Sequence, residues 1–579
     1  MMSMRKRWIP TEIHKNLDPN QISDYTALFS SELGVDPLIA RILALRGVSS
    51  VEEAVTFLQA PLSALPDPFL MKGMDRAVER VVEAIRQGQK IKIMGDYDCD
   101  GVGAASLCVE FFREIGASAD YFIPHRANDG YGLSETAIRQ AAADGYSLII
   151  SVDCGISAHA EAAVAKELGL TLLISDHHQV PEQLPVAYAI INPHQPGCSY
   201  PFKELAGVGV AFCLVAGIRK RLREEGYFST RPEPDIRKHL DLVALSTIAD
   251  VVPLHGVNRL LTKAGLRIIE AGSRPGMAAI REVADIKNIT CGTIAFGFAP
   301  RLNAVGRLQD ATLGADLLLE SDYGKAISIA MRLDAMNKER QDIEKEILAQ
   351  AIERIERGEC GERTIVLADS RWNPGVIGIC GSRLVEMYHR PTVLIGLAGE
   401  KGKGSGRSIR GFNLYEAFSS CASTLQGFGG HEYAAGMSLF AQDVPAFAWA
   451  FEELAQRTLS DEDMVPQVPY DAEIDLQSLS LPVVEELDIL APFGAGNARP
   501  TFVARGVKAE GVRRVGSDQK HLSFTANQNG RRVKCIAFGL GDYADGLEGQ
   551  SVDLLFGVSI NEWRDTRTVQ CEVKDLRAA

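Results

Sequence analysis

The sequence predicts a multidomain α/β protein built around a mostly parallel sheet. Five short apolar runs lie at 91–94, 120–123, 148–152, 170–174 and 187–191. The stretches between them have helical periodicity, at 103–115, 134–144, 157–168 and 205–225. Alternating strands and helices predict a parallel sheet covered on both faces. A chain of 579 residues is too long for one core, so further domains are expected.

Composition favours a protein of the cytoplasm. The apolar fraction is 46% and the charged fraction 23%, both ordinary for a globular chain. No apolar run approaches the length of a membrane span, and the basic N-terminus lacks the apolar core of a secretory signal. The eleven cysteines include no CxxC pair, which is typical of reduced thiols rather than a disulfide framework. No membrane partner is therefore expected.

The remaining segments divide the chain further. Residues 1–88 are expected to form an N-terminal helical segment packed on the first α/β domain. Mixed charges with apolar positions at helical spacing predict one long connecting helix over 323–358. Short alternating strands split by glycine and Asn-Gly turns predict a small β-barrel at the C-terminus. The predicted domains after the N-terminal segment are an α/β domain, a connecting helix, a second α/β domain and a barrel, at 89–322, 323–358, 359–459 and 470–579.

The chain is acidic overall but contains one strongly basic segment. The formal charge of −14 argues weakly against a nucleic-acid partner. Between 499 and 535, however, nine lysines or arginines face only two acids, Glu510 and Asp518. A local basic segment of this kind can bind phosphates despite global acidity. Phe493, Phe502 and Phe524 in the same region either stack on bases or form the barrel core.

Acidic side chains follow the first apolar run. Asp96, Asp98 and Asp100 alternate with other residues, and on an extended segment their carboxylates would point the same way. A glycine-led helix comes next, and its N-terminus favours anions. A turn with solvated acids is the alternative. The pattern favours a cation site, because converging carboxylates repel one another unless a cation neutralises them.

Three more runs extend this cluster. Asp153 ends the third apolar run, although aspartate is depleted in strands. Asp176, His177 and His178 follow the fourth run, and neutral imidazole is a common ligand for first-row metals. Asp250 follows an apolar stretch at 242–248. Since parallel strands deliver their carboxyl ends to one sheet edge, these side chains are expected to form a site for two divalent cations.

The ordered runs Asp-Tyr-Asp-Cys-Asp-Gly, Ser-Val-Asp, Ser-Asp-His-His and Ala-Asp-Val-Val-Pro-Leu resemble the four motifs of the DHH phosphoesterase superfamily. Over about residues 40–575 the chain is similar to the RecJ family of single-strand-specific 5′-to-3′ exonucleases. The resemblance implies a DHH catalytic domain at 89–322, a DHHA1-like domain at 359–459 and an OB-like barrel at 470–579.

The resemblance also implies a ligand set for two Mn²⁺ or Mg²⁺ ions. The implied ligands are Asp98, Asp100, Asp153, His177 and Asp250, with Asp153 bridging. His178 would face the scissile phosphate, and Asp176 would orient an imidazole. Many family members have a histidine where this chain has Met94, and a thioether is a poor ligand for these hard cations. The first site would then be weaker, or completed by Asp96 or water.

Residues outside the acidic motifs are implied to bind substrate. Guanidinium groups clasp phosphate bidentately, and glycine-rich backbone donates N–H groups. Tyr131 would stack on a base or belong to the core. The residues implied to hold the 5′ end or nearby phosphates are Arg126, Asn303, Arg307, Ser405, Arg407, Gly430 and His431.

The function implied is hydrolysis of single-stranded DNA from its 5′ end to 5′-mononucleotides, in DNA repair and recombination. The alternatives are a phosphatase, pyrophosphatase or oligonucleotide phosphodiesterase using the same metal centre, and a non-catalytic DNA-binding scaffold. Family resemblance further suggests a single-strand-binding protein as partner and a nucleoid-associated, cytoplasmic location.

Overall fold

A computed structural model describes residues 6–125, 130, 132–308, 311–564 and 566–579. The chain forms two compact units. The larger one comprises Ile9–Leu333 and Pro469–Ala579, and the smaller one comprises Asp334–Val468 with the N-terminal residues up to Trp8. In the described part of the chain, no helix combines the length and apolarity needed to cross a bilayer.

The N-terminal segment is mainly helical. Its elements are β1 (Arg7–Pro10), α1 (Thr11–His14), α2 (Pro19–Leu33), α3 (Pro37–Leu45), α4 (Val51–Gln59) and α5 (Met74–Arg86). Asp18 and Asp36 cap α2 and α3, and each is followed by a proline at the first helical position. Helices α2 to α4 share one hydrophobic core with the C-terminal barrel. The sequence analysis did not anticipate that shared core.

The predicted parallel sheet is present. Its strands are β2 (Ile91–Gly95), β3 (Ala119–Phe122), β4 (Leu148–Val152), β5 (Thr171–Ser175) and β6 (Ala189–Ile191), in the order β3-β2-β4-β5-β6. All neighbouring pairs are parallel. The accompanying helices are α6 (Cys99–Glu114), α7 (Glu135–Ala143), α8 (His159–Glu167) and α9 (Gly207–Glu224). Parallel pairing brings the carboxyl ends of β2, β4 and β5 to one edge.

A helical layer follows the sheet in the sequence. Its helices are α10 (Leu240–Ala249), α11 (Gly256–Ala271), α12 (Pro275–Val283), α13 (Cys291–Thr293), a π-helical turn (Ile294–Phe298), α14 (Ala299–Leu308) and α15 (Thr312–Leu319). Helix α10 is buried over 240–248, as its apolar composition on all sides requires. The long helix α16 (Tyr323–Glu356) begins in the larger unit and continues into the smaller one.

The smaller unit contains a mixed sheet in the order β10-β11-β9-β8-β7. Its strands are β7 (Ile365–Asp369), β8 (Thr392–Ala398), β9 (Lys401–Arg407), β10 (Gly427–Gly430) and β11 (Ala434–Phe440). Only β7 and β8 pair in parallel. The helices are α17 (Ile377–Tyr388), α18 (Leu414–Ser420) and α19 (Val444–Thr458). Strand β12 (Gln467–Tyr470) follows.

The C-terminal region is a closed β-barrel, as predicted. It contains β13 (Ala472–Glu473), α20 (Leu481–Leu487), β14 (Phe502–Val515), β15 (His521–Gln528), β16 (Arg531–Ala537), β17 (Ser551–Trp563) and β18 (Thr566–Ala578). Pairing of β14 with β17 closes the ring. Phe502 and Phe524 are buried in the barrel core, and Phe493 packs against it. Phe502 and Phe524 are therefore core residues, whereas Phe493 is partly buried at the edge of that core.

Candidate metal centre

Asp98 and Asp100 belong to a helix start and not to an extended segment. Strand β2 ends at Gly95, and Asp98 is the N-cap of α6. Its Oδ1 accepts hydrogen bonds from the N–H groups of Asp100 (2.9 Å) and Gly101 (3.1 Å). The expectation of three carboxylates along one extended segment is thus wrong. The acidic groups converge because the chain turns sharply from strand into helix.

Asp100 is held by the N-terminus of a second helix. Its carboxylate is buried and accepts hydrogen bonds from the N–H groups of Gly207 (2.6 Å) and Val208 (3.0 Å) in the first turn of α9. The N-terminus of a helix stabilises an anion through its unpaired N–H groups and its dipole. Helix α9 therefore fixes Asp100 at the carboxyl edge of the sheet.

Asp153 lies at the end of β4 in a left-handed backbone conformation, with φ at 61°. A Cβ atom on Gly207 would lie 2.6 Å from Asp153 Cβ and 2.7 Å from its Cγ, so only glycine fits there. Asp153 Oδ1 lies 3.2 Å from Nε2 of His177. The oxygen is buried and forms no hydrogen bond with any described residue. Such a group requires a further partner.

His177 directs one ring nitrogen at several carboxylates. Its Nδ1 lies 2.9 Å from the carbonyl oxygen of Leu205, to which it donates as the neutral tautomer. The other nitrogen, Nε2, is then a bare acceptor that faces oxygens of Asp153, Asp250 (3.7 Å) and Asp100 (4.0 Å). Burial, and then the neighbouring His178, lower the pKa of His177 to about 4. A neutral lone pair surrounded by carboxylate oxygens has the arrangement of a metal ligand.

Asp176 and His178 form a hydrogen-bonded pair beside this cluster. Asp176 Oδ1 lies 2.8 Å from His178 Nδ1, and its Oδ2 accepts from the N–H group of Ile156 at 2.9 Å. Burial alone would lower the pKa of His178, but the hydrogen bond and charge of Asp176 outweigh it and raise that pKa overall. His178 is consequently a good proton and hydrogen-bond donor.

The buried acids repel one another strongly. Burial, followed by the charge of Asp98, raises the pKa of Asp96 to about 8 and that of Asp100 to about 7. Burial, Asp100 and Asp98 raise the pKa of Asp250, at the C-cap of α10, to about 9. These shifts reflect burial first and repulsion between the carboxylates second, and both disfavour the charged forms unless a cation is bound. Divalent ions would remove that cost.

Three groups of possible ligands lie at this edge of the sheet. Asp96, Asp98 and Asp153 offer carboxylate oxygens that lie within 4.8 Å of one another. The ligand atoms of Asp100, His177 and Asp250 lie within the same distance of one another. Asp153 also groups with the two histidines. Asp96 Oδ1 and His177 Nε2 are buried and form no hydrogen bond within the described ranges. The donor set of carboxylates and neutral imidazole therefore fits Mn²⁺ or Mg²⁺.

Met94 lies away from these ligands in the apolar core. Its side chain is 1% exposed and packs with Leu133, Ile138 and Ile149. Asp96, two residues later, is the acid that stands with Asp98 and Asp153. The geometry thus makes Asp96 available where the family pattern has a histidine.

A cavity of about 170 Å³ opens over the acidic cluster. Helix α14 contributes Asn303, whose Oδ1 accepts a hydrogen bond from the Cys99 N–H group at 2.8 Å. A Cβ atom on Gly306 would lie 2.7 Å from the carbonyl oxygen of Tyr97, so α14 packs directly on the acidic loop. The cavity is lined by Tyr97, Asp98, Cys99, Asp100, Ala249, Asp250, Asn303, Gly306 and Arg307. Two of the predicted substrate residues, Asn303 and Arg307, therefore lie beside Asp98, Asp100 and Asp250.

Ser405 and Arg407 lie together on β9 of the smaller unit. The Arg407 guanidinium donates to Ser405 Oγ (2.9 Å), Ser382 Oγ (3.1 Å) and the Gly406 carbonyl (2.7 Å). A Cβ atom on Gly378 would lie 2.9 Å from both Arg407 Nη2 and Ser405 Oγ. Helix α17 thus presses its glycine against the arginine and holds it in place.

Gly430 and His431 end a neighbouring strand of the same sheet. Gly430 pairs with Ala435, which pairs with Gly406, so the three residues form one row across β10, β11 and β9. Gly430 has a φ of 137°, and a Cβ there would lie 2.5 Å from the Ala435 Cα. His431 is exposed, and its N–H group donates to the Ala434 carbonyl at 2.8 Å.

Two predicted site residues cannot be placed, and four supporting residues were not predicted. The predicted Arg126 and Tyr131 lie outside the described residues. Gly207, Leu205, Gly306 and Ser382 support the site and were missed by sequence reasoning. The run Gly207-Val208-Gly209 at the start of a helical stretch is a signal for Gly207, because glycines there allow close backbone approach.

Comparison with known proteins identifies the family. Family models match the DHH family N-terminal domain at 90–247, the DHHA1 domain at 361–457 and the RecJ OB domain at 470–575. The chain is 37% identical to the single-stranded-DNA-specific exonuclease RecJ of Escherichia coli, over 96% of this chain and 97% of that protein. This chain belongs to the RecJ family. RecJ of Bacillus subtilis is 40% identical, over 99% of this chain and 71% of that protein.

Solved RecJ structures agree with the fold. The crystal structure of RecJ from Thermus thermophilus with Mn²⁺ matches with a TM-score of 0.84 at 31% identity, covering 100% of this chain and 80% of that one. The corresponding structure with Mg²⁺ has a TM-score of 0.77 at 30% identity, covering 99% and 78%. Family membership confirms the resemblance drawn from the four acidic motifs, the predicted α/β fold with its barrel, and the predicted class of divalent cation.

Proposed function

We propose that this RecJ-family chain is a metal-dependent exonuclease that degrades single-stranded DNA from its 5′ end to 5′-mononucleotides. The observation that carries the proposal is the set of buried, unpaired ligand atoms on Asp96, Asp153 and His177 in the described structure. Relatives of 34–40% identity are named single-stranded-DNA-specific exonucleases. Two-metal sites of this composition hydrolyse phosphodiesters.

The proposed ligands divide into two sets that share one carboxylate. Asp96, Asp98 and Asp153 would hold one cation, and Asp100, Asp153, His177 and Asp250 the other. Asp153 would thus contribute to both sets, which is consistent with its short distance to His177. The cations, when bound, lower the pKa of a water molecule and neutralise charge that develops on the phosphate.

His178 and Asp176 are proposed to act on the phosphate. Asp176 accepts a hydrogen bond from Nδ1 of His178 at 2.8 Å and, by raising the pKa of His178, favours the imidazolium form, in which the opposite ring nitrogen also carries a proton. From that nitrogen His178 would donate a hydrogen bond to a nonbridging oxygen of the scissile phosphate as negative charge increases there. Asn303 fixes the backbone between Asp98 and Asp100, and Arg307 supplies positive charge at the cavity.

Polarity is proposed to come from a terminal-phosphate pocket on the smaller unit. Arg407 has a fixed, positively charged guanidinium beside Ser405, which favours binding of a phosphate. Gly430 and His431 on the same sheet would complete this pocket. Arg126 stays a prediction for phosphate binding, and Tyr131 for base stacking. A site that accepts a terminal 5′ phosphate would restrict the bound strand to one polarity.

The barrel is proposed to bind the strand farther from the cut. Its basic residues between 499 and 535 support this role through phosphate contacts. A single-strand-binding protein as partner, a cytoplasmic and nucleoid-associated location, and participation in repair and recombination follow from the same proposal and stay predictions.

The test is a cleavage assay on single strands labelled at either end. With Mn²⁺, the protein should release mononucleotides from a 5′-labelled strand at once, whereas the 3′ label should remain on progressively shorter products. Hydrolysis of pyrophosphate or a dinucleotide without action on the long strand would favour the small-substrate alternative. Strand binding without any Mn²⁺-dependent cleavage would favour a DNA-binding scaffold.

A further inference from the structure

Arg259, in the first turn of α11, is a buried cation whose hydrogen bonds all go to backbone. It is 1% exposed. Its guanidinium donates to the carbonyl oxygens of Phe57 (2.8 Å), Leu490 (2.9 Å) and Ala491 (2.8 Å). The Phe57 ring centroid lies 3.8 Å from Arg259 Cζ. Burial lowers the pKa of Arg259 to about 10, so the side chain remains charged at neutral pH.

A buried charge of this kind is costly. None of the described residues forms a salt bridge with Arg259, so carbonyl dipoles and an aromatic face alone compensate its desolvation. An apolar side chain of similar volume would avoid that cost. The arginine instead contributes precise geometry. A planar guanidinium that donates to three carbonyls at once fixes the relative position of three backbone segments.

The three segments are α11 itself, α4 and the stretch that leads into the barrel. Phe57 lies in α4 of the N-terminal segment, whereas Leu490 and Ala491 lead into the barrel. The same entry segment contacts the turn after Asp250, where the Leu254 N–H group donates to the Ala495 carbonyl at 2.7 Å. A Cβ on Gly494 would lie 2.6 Å from Leu254 Cδ1. The start of the barrel is therefore pressed onto the turn that follows Asp250.

Asn258, the residue before Arg259, contacts a different part of the larger unit, the segment that leads into α9. It is fully buried, and its Nδ2 donates to the carbonyls of Glu204 (2.5 Å) and Pro253 (3.1 Å). Glu204 precedes Leu205, whose carbonyl orients His177. The same segment continues into Gly207, whose N–H group holds Asp100. Neighbouring residues of one helical turn thus contact the supports of the metal ligands and the entry to the barrel.

We infer that Asn258 and Arg259 are positioning residues, which couple the seating of the barrel to the metal centre. Arg259 fixes the barrel against α11, and Asn258 fixes the segment that orients His177 and Asp100. A strand bound on the barrel then approaches the cations along one defined path. This inference rests on the proposed exonuclease function, in which the barrel binds DNA.

The test compares two substrates in steady-state cleavage with Mn²⁺. One is a 5′-phosphorylated dinucleotide, which is too short to reach the barrel. The other has about 20 nucleotides, enough for the metal centre and an OB-type site of 4–16 nucleotides. Arg259→Met removes the charge and the three donors, and Arg259→Lys retains only the charge and a single donor group. Arg267→Met, at an exposed position of the same helix, is the matched control.

For Arg259→Met the KM for the long strand should rise about tenfold or more. A linked second binding domain raises affinity by about 10²–10⁴-fold, and a barrel that is no longer held in one orientation loses part of that gain. Its kcat, and all kinetics on the dinucleotide, should stay near wild type. Arg259→Lys should show a smaller rise, and the control none. An equal loss on both substrates, or no change on either, would overturn the coupling. If Arg259→Met does not fold, Arg259→Lys decides by the same criteria.

Asn258→Ala tests the other half of the inference. Loss of a support for metal-ligand orientation typically costs about 10–100-fold in metal affinity. The Mn²⁺ concentration for half-maximal dinucleotide cleavage should therefore rise at least about tenfold, while the ratio of the two KM values stays at the wild-type level. An unchanged Mn²⁺ requirement would overturn the role of Asn258. Failure of the wild-type protein to cleave either substrate would instead refute the proposed function itself.

Discussion

Gly207→Ala is the sharpest test of how the metal centre is built. The added methyl carbon would lie 2.6 Å from Asp153 Cβ and 2.7 Å from Asp153 Cγ. Carbon atoms in contact prefer separations of about 3.5–4.0 Å, so one partner must move by about 1 Å. Asp153 Cβ is next to the backbone and cannot rotate away. Either Asp153 leaves its position, or the first turn of α9 moves back from Asp100 and lengthens the 2.6 Å hydrogen bond.

A displacement of about 1 Å at a catalytic group can reduce a rate about 100-fold, which corresponds to about 2.7 kcal/mol of barrier. We therefore expect kcat for single-strand cleavage to fall by about two orders of magnitude, with a higher Mn²⁺ requirement. Global stability should change little, because alanine is favoured over glycine in a helix by about 1 kcal/mol, which offsets part of the strain.

The assay is single-turnover cleavage of a 5′-labelled strand over a Mn²⁺ titration, with thermal unfolding by circular dichroism in parallel. Gly217→Ala is the control, since it lies on the same helix and its Cβ would meet only side chains, the nearest being Val78 Cγ2 at 3.1 Å. Wild-type kcat and Mn²⁺ dependence in Gly207→Ala would refute the argument that close approach of α9 fixes Asp153 and Asp100.

Three further results are expected. Asp153→Asn should abolish cleavage but spare binding of a single strand measured by fluorescence anisotropy, because it removes the carboxylate that groups with Asp96 and Asp98 and also with His177 and His178; cleavage at the wild-type rate would exclude a bridging role. Chelation with EDTA should stop cleavage, and added Mn²⁺ at 100 times its Kd should restore it and stabilise the fold by about 2.7 kcal/mol, visible as a higher Tm. His239→Gln should destabilise the protein by about 1–3 kcal/mol at pH 6 in chemical denaturation, because Glu110 and Glu114 lose one buried partner and keep Arg274 and Lys238. Burial lowers the pKa of His239 but those carboxylates outweigh it and raise it overall, so the wild-type advantage should be full below about pH 6.5 and shrink as pH rises through the raised value; an advantage that grows with pH would contradict this assignment.

The strands and the polar residues at their ends could be predicted from the sequence because the signal lies in a few consecutive residues. Short apolar runs ending in Asp153, or in Asp176 and His177, are unusual enough to indicate both the strand and the functional edge. The structure agrees, with β4 ending at Val152 and β5 at Ser175. In these places a few consecutive residues determine both the element and the direction of its side chains.

Other features depend on contacts between distant parts of the chain. The position of Asp100 is set by α9, more than a hundred residues later, and no local pattern around Asp100 contains that information. The shared core of α2 to α4 with the barrel likewise joins the two ends of the chain. Apolar periodicity shows that a helix buries one face, but it does not show which partner covers that face.

At Met94 the family pattern and the three-dimensional structure are both needed to identify a candidate ligand. Sequence comparison with the family leaves a missing ligand at this position, and composition alone cannot say what replaces it. Met94 is 1% exposed among apolar side chains, while Asp96 is 3% exposed with an unpaired oxygen in the described structure. Burying a carboxylate that has one oxygen without a hydrogen bond is unfavourable unless a cation accompanies it. Asp96→Asn should consequently raise the Mn²⁺ requirement for cleavage, whereas Met94→Leu, which conserves volume, should leave it unchanged. Equal Mn²⁺ titration curves for wild type and Asp96→Asn would show that water, and not Asp96, completes the first site.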